Sequence, residues 1–319
     1  MKQYCLKLNP IGSISRIPDA QTIFGAICNI LIHTQEYDSF QKYIDSFNHQ
    51  PLLIHSSMFP HGYLPMVHSS LFSIDYITKN ILEENSINQL NYLQTMKQLK
   101  KIDYVSQKVF YNYILQNKYG ELKEDLLNHI LIVDERCLQY HDETKRHSIA
   151  SQITTHVQKN LFYFDSKNDN DLYYNRDIYC SDDTYFNIYV KTELSEEALW
   201  NIFKYSQYFG FGPKHSSGKN SFKLIQIEEI NVDSSFDKIL LSKSALDNQY
   251  DLAHSHYQIE SKLHQTGQYY LNNQRTGRFN LFKEGSIMKV KENQDYYGCI
   301  KKIKNNDHII YYYAIGYVL

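Results

Sequence analysis

A short glycine-rich segment, residues 210–222, brings together residue types that bind phosphate. It reads Gly-Phe-Gly-Pro-Lys-His-Ser-Ser-Gly-Lys-Asn-Ser-Phe and holds three of the chain's 12 glycines. Glycine allows successive backbone N–H groups to converge on an anion and lets a ligand come close to the main chain. Lysine adds positive charge, and serine hydroxyls donate hydrogen bonds to phosphate or sugar oxygens. The segment therefore indicates a site for a phosphate-bearing ligand.

Two other interpretations of the same segment have to be compared with this one. A tight structural turn from a helix into a strand also favours glycine, because glycine tolerates positive φ, and this interpretation stays open. A nucleotide-binding P-loop does not fit, since five residues rather than four separate Gly212 from Gly218. In addition, Asn220 stands where a P-loop has the Ser or Thr that holds magnesium, and a P-loop follows a strand rather than a helix.

The 14 histidines raise the possibility of metal binding or catalysis. Two groups have close or regular spacing: His254, His256 and His264, and His49, His55, His61 and His68. No acidic residue lies at a matching spacing, so no metal site and no cofactor is predicted. His147, beside Arg146, or His215, inside the glycine-rich segment, could act as a general base for RNA cleavage through the 2′-hydroxyl.

The charges are nearly balanced overall but unevenly distributed. Lys plus Arg number 33 against 35 Asp plus Glu, for a net charge of −2. Five windows nevertheless contain basic residues or histidine and no acid: 1–18, 46–74, 144–164, 198–227 and 261–283. This distribution suggests a local basic groove on a neutral protein, as used to hold a nucleic-acid backbone.

Composition indicates a folded protein without membrane spans. Hydrophobic residues make up 42% and aromatic residues 14% of the chain, which argues against disorder. No apolar run approaches the roughly 18 residues of a membrane helix. The five cysteines are odd in number and scattered, which favours free thiols in a reducing compartment over disulfides or a zinc knuckle. The expected location is cytoplasmic.

The elements that would carry the glycine-rich segment recur in both halves of the chain. In the first half, alternating apolar and polar residues over 3–9 predict a strand, and Asp19 can cap the helix after it. In the second half, residues 186–191 predict a strand, Ser195 can cap a helix, and residues 222–230 predict a strand after the glycine-rich segment. The repeat predicts two units of the same kind.

Three further stretches complete the predicted organisation. They are a polar helical insertion at about 72–133, hairpins over 140–189 and a final strand over 309–318. The predicted fold class is α+β, with two ferredoxin-like (RRM-type) domains at 1–184 and 185–319 and the helical insertion in the first.

At this point the sequence resembles the RAMP superfamily of CRISPR RNA-binding proteins. The pattern G-x-G-x-x-x-S-x-G-x-x-x-F after a helix is typical of it, and residues 17–28, Ile-Pro-Asp-Ala-Gln-Thr-Ile-Phe-Gly-Ala-Ile-Cys, resemble its type III-A members. Supporting similarities are Ser-Ser-Met-Phe-Pro at 56–60, Leu-Pro at 64–65, and Leu-Phe-Tyr at 161–163. The family has a further glycine where this chain has Asn220, which tolerates the same backbone conformation. Together these features point to the 5′-handle-binding subunit, counted as the fourth Csm subunit.

The resemblance implies a non-catalytic role in a type III-A (Csm) ribonucleoprotein for antiviral defence. The subunit would hold the 5′ handle of the guide RNA (crRNA), dock the large polymerase-like subunit and contact the backbone RAMP subunit. RNA-binding residues implied by it are Arg16, Lys145, Arg146, His147, Gly210, Gly212, Lys214, His215, Ser216, Ser217, Gly218 and Lys219. The alternative is a metal-independent crRNA-processing endoribonuclease of the same superfamily. In that relative the glycine-rich loop lies near the C-terminus, whereas here 101 residues follow Gly218.

Overall fold

The computed structural model describes residues 1–34, 37–67, 101–128, 130–134, 136–143, 149–157, 172–214, 217–231, 237–265, 275–305 and 308–319. Within these ranges the chain is α+β, rich in strands with few helices, as the sequence predicts. The strands are β1 Lys2–Pro10, β2 Leu53–Pro60, β3 Tyr63–Pro65, β4 Tyr104–Ser106, β5 Leu131–Asp134, β6 Cys137–Tyr140, β7 Ile149–Val157, β8 Leu172–Cys180, β9 Phe186–Thr192, β10 Phe222–Glu229, β11 Asp237–Ile239, β12 Ser244–Ala245, β13 Tyr250–His256, β14 Ile259–Gln265, β15 Arg275–Phe282, β16 Ile287–Val290, β17 Tyr297–Asn305 and β18 His308–Gly316. The helices are α1 Ala20–Thr34, α2 Tyr37–Ser46, α3 Gln107–Val109 with a π-helical turn Phe110–Ile114, α4 Tyr119–Leu127, α5 Glu196–Phe203 and α6 Ser206–Phe209.

Both predicted helix starts are capped as the sequence indicates. The backbone N–H of Thr22 donates to Asp19 Oδ1 at 3.1 Å, so Asp19 satisfies an amide of the first turn of α1. At the start of α5, the N–H of Ala198 donates to Ser195 Oγ at 3.2 Å. The apolar positions of α1, among them Ile23 and Ile27, are buried in the main core, which confirms the helix predicted there.

The strands of the two repeated units lie in one antiparallel sheet of order β10-β1-β9-β2. Strand β9 lies between β1 and β2, and β1 lies between β9 and β10, so each unit supplies the strand that fills the gap in the other. With α1 and α5 as connections, this is the β-α-β-β-α-β order of a single ferredoxin-like unit. The sequence predicts a ferredoxin-like domain in each half, whereas the strands of the two repeated units pair with one another in this one sheet. A boundary between residues 184 and 185 passes between strands of this sheet.

The central strand β9 is buried along its whole length. Phe186, Ile188 and Val190 lie in the same core as the apolar residues of α1 and α5. Tyr189 and Lys191 lie on the opposite face of the strand. Tyr189 Oη accepts a hydrogen bond from Gln107 Nε2 at 2.7 Å, and Lys191 Nζ donates to the Val318 carbonyl at 3.2 Å. The α3 segment and the C-terminal end of the chain therefore cover the face of the sheet that these two residues occupy.

The predicted helical insertion at about 72–133 differs from the structure where the structure describes it. Residues 68–100 lie outside the described residues. After them, α3, the π-helical turn and α4 are helical, but β4 and β5 are strands of the sheet β3-β4-β6-β5. Val105 of β4 pairs with Leu64 and Leu138, and this buried pairing outweighs the local helical pattern.

The remaining strands form hairpins and small sheets. The hairpin predicted within 140–189 is confirmed as β7 and β8, which pair from Ile149 with Cys180 to Val157 with Leu172. The other sheets have the orders β11-β16-β13, β12-β15-β14 and β17-β18, and β18 confirms the predicted final strand. All five cysteines are free thiols. Among the described residues, no helix has the length and apolar character needed to cross a membrane.

Candidate nucleic-acid interface

The glycine-rich loop between α6 and β10 has a left-handed backbone at alternating positions. Positive φ angles occur at Gly210, Gly212, Lys214, Gly218 and Asn220. The three glycines adopt this conformation without steric cost, and Asn220, at φ 57°, adopts it where the resembled family has glycine. The turn therefore requires positive φ angles, which explains its glycines whether or not the loop binds a ligand.

Asn220 holds the loop in shape through its side chain. Its Oδ1 accepts from the N–H of Ser15 at 2.9 Å, while its Nδ2 donates to Ser15 Oγ at 2.8 Å and to the Pro213 carbonyl at 2.6 Å. Its backbone N–H donates to the Ser13 carbonyl at 3.0 Å. A single buried amide thus joins both ends of the glycine-rich loop to the segment that follows β1.

That segment approaches the loop closely at a glycine. A Cβ at Gly12 would lie 2.7 Å from the Gly218 carbonyl oxygen, so a side chain at this position would push the two backbones apart. The N–H of Ile11 also donates to the Ser221 carbonyl at 2.9 Å. Residues 11–15 and the glycine-rich loop therefore form one continuous surface.

The hairpin of β7 and β8 packs against the other side of the loop through the two lysines. Lys219 Nζ lies 2.5 Å from Asp177 Oδ2, in an ion pair whose side chains are 18% and 3% exposed. Lys214 Nζ donates to Asn175 Oδ1 at 2.7 Å, and Lys214 is exposed. The sequence predicts Lys219 as a phosphate ligand, whereas the structure uses its charge to balance a buried carboxylate. Lys214 keeps a solvent-facing ammonium beside the loop.

Two backbone N–H groups of the loop donate no hydrogen bond to any residue that the structure describes. They are the amides of Gly212 and Lys214, whereas those of Ser217 and Lys219 are bound to the Lys214 carbonyl. Backbone N–H groups without a protein partner can donate to an anion, and the exposed Lys214 side chain adds positive charge beside them. This arrangement is suited to a phosphate group.

Arg16 extends this surface toward the start of α1. Its Nη2 donates to Thr22 Oγ1 at 3.2 Å, and Thr22 Oγ1 in turn donates to Asp19 Oδ1 at 2.6 Å. A Cβ at Gly212 would lie 3.4 Å from Thr22 Cγ2. The structure therefore brings Arg16 and the glycine-rich loop together, although they are nearly 200 residues apart in sequence.

The predicted site residues fall into two groups. Arg16, Gly210, Gly212, Lys214, Ser217, Gly218 and Lys219 are described, and Ser217 Oγ donates to the Lys214 carbonyl within the loop. Lys145, Arg146, His147, His215 and Ser216 lie outside the described residues. Of the regularly spaced histidines, His55 stacks on Tyr313 with ring centroids 4.6 Å apart, and His61 Nδ1 contacts Asn187 Oδ1 at 3.0 Å.

Sequence reasoning missed the residues that position the two lysines. Asn175 and Asp177 are two residues apart on β8 and therefore point to the same face of the hairpin. Their i, i+2 spacing in a predicted strand was the available signal, and it carried no information about the partner loop. Ser13 and Ser15 were equally hidden, because they lie between the strand predicted over 3–9 and the helix that Asp19 caps.

Comparison with known proteins identifies the fold. No protein-family model and no curated protein matches the chain. Among solved structures, Csm4 in the Csm3–Csm4 subcomplex of the type III-A CRISPR-Cas interference complex matches with a TM-score of 0.64 and 17% identity, over 100% of this chain and 98% of that one. Csm4 in Csm1–Csm4 cassettes bound to pppApA and to AMPPNP matches with TM-scores of 0.56 and 0.55, at 18% and 19% identity, over 100% of this chain and 97% of each. At these identities the likeness concerns the fold.

Proposed function

We propose that this chain is a non-catalytic RNA-binding subunit of a type III-A (Csm) CRISPR effector complex, in the position that Csm4 occupies in its relatives. Three features support this proposal together. They are the fold likeness to Csm4 over the whole of both chains, the type III-A motifs of the sequence, and the phosphate-binding character of the loop. The observation that carries it is the exposed ammonium of Lys214 beside the glycine-rich loop, where the amides of Gly212 and Lys214 donate to no residue that the structure describes.

The proposed ligand is the repeat-derived 5′ handle of the guide RNA. Backbone amides and lysine contact phosphate without regard to sequence, so they would set the path of the RNA strand. Arg16 continues the same surface, and its guanidinium suits a second phosphate. The proposed protein partners are a Csm1-like large subunit and a Csm3-like backbone subunit, because the matched structures contain these proteins with Csm4.

The test combines RNA retention and RNA cleavage in one experiment. The protein, alone and assembled with its Csm1-like and Csm3-like partners, is mixed with guide RNA that carries or lacks the 5′ handle, in magnesium and in EDTA, at two salt concentrations. We expect handle-dependent retention that weakens as salt rises, since phosphate contacts release counterions, with the RNA intact.

Two results would contradict the proposal in different ways. Equal retention of RNA with and without the handle by the assembled complex would remove the handle-binding role. Cleavage at the repeat boundary that is lost in His147→Ala or His215→Ala would instead identify a metal-independent processing endoribonuclease. Cleavage that both variants retain would indicate a contaminating nuclease and leave retention as the deciding result.

A further inference from the structure

A cavity of about 220 Å³ lies beside the start of α1, apart from the glycine-rich loop. Its walls come from residues 17–19 before α1, residues 57–59 of β2, residues 65–66 and 102–104, and the turn at 283–284. Pockets that hold drug-sized ligands measure roughly 300–1,000 Å³, so this cavity suits a single ring system.

The apolar part of the cavity is lined by side chains that can pack against a planar ring. Met58, Phe59, Pro65, Met66 and Ile102 line it, and all five are buried. Methionine and aromatic side chains adapt to the faces of planar rings. The lining therefore favours a planar ligand over an extended chain.

One carboxylate in the cavity lacks a direct cationic partner. Ser57 Oγ accepts from the N–H of Ala20 at 3.0 Å and donates to Glu284 Oε1 at 2.7 Å. Glu284 forms no ion pair with a residue that the structure describes. Burial raises the pKa of its carboxyl above the ordinary value, with nearby Lys243 acting in the opposite direction. Glu284 thus offers a hydrogen-bond acceptor in a partly desolvated place.

Basic residues offset most of the acidic residues around the cavity. Arg136 binds both oxygens of Asp103 at 2.8 Å, and Lys243 lies 3.4 Å from Asp19. Lys283 also lines the cavity and offsets Glu284 in the total charge. Lys243 also lies 2.8 Å from Glu260, so the acidic residues of this region outnumber the basic ones by one. A ring that carries an N–H donor would match this acceptor-rich lining.

The cavity also adjoins the proposed RNA surface. Arg16 directly precedes Ile17, the first lining residue, and Asp19 lines the cavity while accepting hydrogen bonds from Thr22. Thr22 is in turn the contact of Gly212 and the acceptor for Arg16. A strand whose phosphates lie on the glycine-rich loop and Arg16 would pass the mouth of the cavity.

We propose that this cavity takes one unstacked base of the bound RNA and that the exocyclic amino group of this base donates a hydrogen bond to Glu284. The proposal rests on the proposed function, because the RNA must first lie on the glycine-rich loop. Single-stranded RNA is read in this manner, through bases splayed out of the stack and bonded along their Watson–Crick edges. An amino-bearing base, which is cytosine, adenine or guanine, fits the carboxylate acceptor.

The experiment locates the base and then removes its contact. The assembled complex is titrated with handle RNAs in which one position at a time is abasic, using wild type, Glu284→Gln and the control Glu121→Gln, an exposed residue of α4. In Glu284→Gln, Ser57 donates to the amide oxygen, so the amide NH₂ faces the base amino group. We expect one abasic position to weaken wild-type binding roughly tenfold and to have little further effect in Glu284→Gln.

A second set of RNAs identifies the amino group. At the sensitive position, the base is replaced by its analogue without the amino group: inosine for guanine, purine for adenine or 2-pyrimidinone for cytosine. We expect the analogue to reproduce most of the tenfold loss in wild type and none in Glu284→Gln. Should Glu284→Gln fold poorly, Met66→Phe fills the cavity from its apolar wall and should abolish the same position dependence.

The outcomes distinguish failure of this proposal from failure of the proposed handle-binding function on which it rests. Handle-dependent binding with no abasic position coupled to Glu284 or Met66 would overturn the base-binding cavity and leave the handle-binding function standing. Coupling that persists with the amino-free analogue would overturn the role of the amino group. Loss of handle dependence in wild type would remove both proposals.

Discussion

Lys214 and Lys219 lie five residues apart on one loop, yet their surroundings differ. Asp177, the partner of Lys219, is 3% exposed, so Lys219→Ala would leave a buried carboxylate without its cation. We expect this variant to lose about 3 kcal/mol of unfolding free energy. Lys214→Ala removes an exposed ammonium and should change stability by less than about 0.5 kcal/mol. Urea denaturation of the two variants measures the difference.

Two controls test the cause of that difference. Asp177→Asn in the Lys219→Ala background removes the unpaired charge and should recover part of the lost stability. RNA binding should show the opposite order. Lys214→Ala should lower the slope of log affinity against log salt concentration by about one, and Lys219→Ala should change this slope less. Equal stability of Lys214→Ala and Lys219→Ala would show that the ion pair with Asp177 makes no net contribution.

The buried histidine of β2 predicts a pH dependence of stability. His55 is fully buried against Tyr313, and burial lowers its pKa from 6.5 to about 4. Between these values the unfolded chain binds a proton that the folded protein does not, so the free energy of unfolding falls as the pH falls from 6.5 to 4. The full effect is about 3 kcal/mol at 1.36 kcal/mol per pKa unit. Urea denaturation across this pH range measures it.

His55→Phe supplies the comparison for this prediction. Phenylalanine can keep a ring against Tyr313 but does not titrate. The variant should therefore show a smaller loss of stability between pH 6.5 and pH 4, whatever its stability at neutral pH. Parallel curves for wild type and variant would assign the acid sensitivity to other groups.

At the scale of elements, the close contact between residues 11–15 and the glycine-rich loop can be tested with two glycines. Gly12→Ala would place a Cβ 2.7 Å from the Gly218 carbonyl oxygen. Because both partners are backbone, the segment must move, and overpacking of this kind costs roughly 1–3 kcal/mol. We expect lower stability together with weaker RNA binding, measured by denaturation and by titration with handle RNA.

Gly25→Ala is the matched control on α1. A Cβ at Gly25 meets no atom within 4 Å, and alanine favours a helix interior over glycine by roughly 0.5–1 kcal/mol. This variant should be at least as stable as wild type and should bind RNA equally well. A loss of RNA binding in Gly25→Ala would indicate that α1 itself contacts the RNA, and would remove Gly12 as a specific probe.

Elements whose signal is local could be predicted from the sequence, and others could not. The caps Asp19 and Ser195, the alternating burial of β1 and the strand β9 all appear as predicted, because these signals depend on neighbours within a few residues. Strands β4 and β5 were missed, since a three-residue strand such as Tyr104–Ser106 exists through its pairing with distant strands.

At the scale of the whole molecule, the shared sheet predicts that the two halves depend on each other. Residues 1–184 expressed alone would have β1 without either neighbour, and residues 185–319 alone would have β9 and β10 with a gap between them. We expect each fragment to lack cooperative unfolding and dispersed amide NMR signals. Co-expression should restore a soluble complex of the two. A cooperatively folding 185–319 fragment would contradict this expectation.

The loop of the candidate site could be predicted from the sequence, but the residues that hold the loop in place could not. Glycine, lysine and serine at 210–219 stand together in the sequence, so their chemistry could be inferred directly. Asp177, Asn175 and Ser15 act on the loop from segments up to about 200 residues away, and nothing in their local sequence marks that contact. The ion pair of Lys219 with Asp177 could therefore not be inferred, and the phosphate contact of Lys219 stays a prediction.

The central position of β1 has a consequence for how the protein is made. This strand is synthesised before both of its neighbours, β9 and β10, which begin only at Phe186 and Phe222. At roughly 5–20 residues per second, a ribosome needs about 10–40 seconds to supply them. Throughout this interval β1 lacks both of its native strand partners, so its inter-strand hydrogen bonds form only after the second half of the chain emerges.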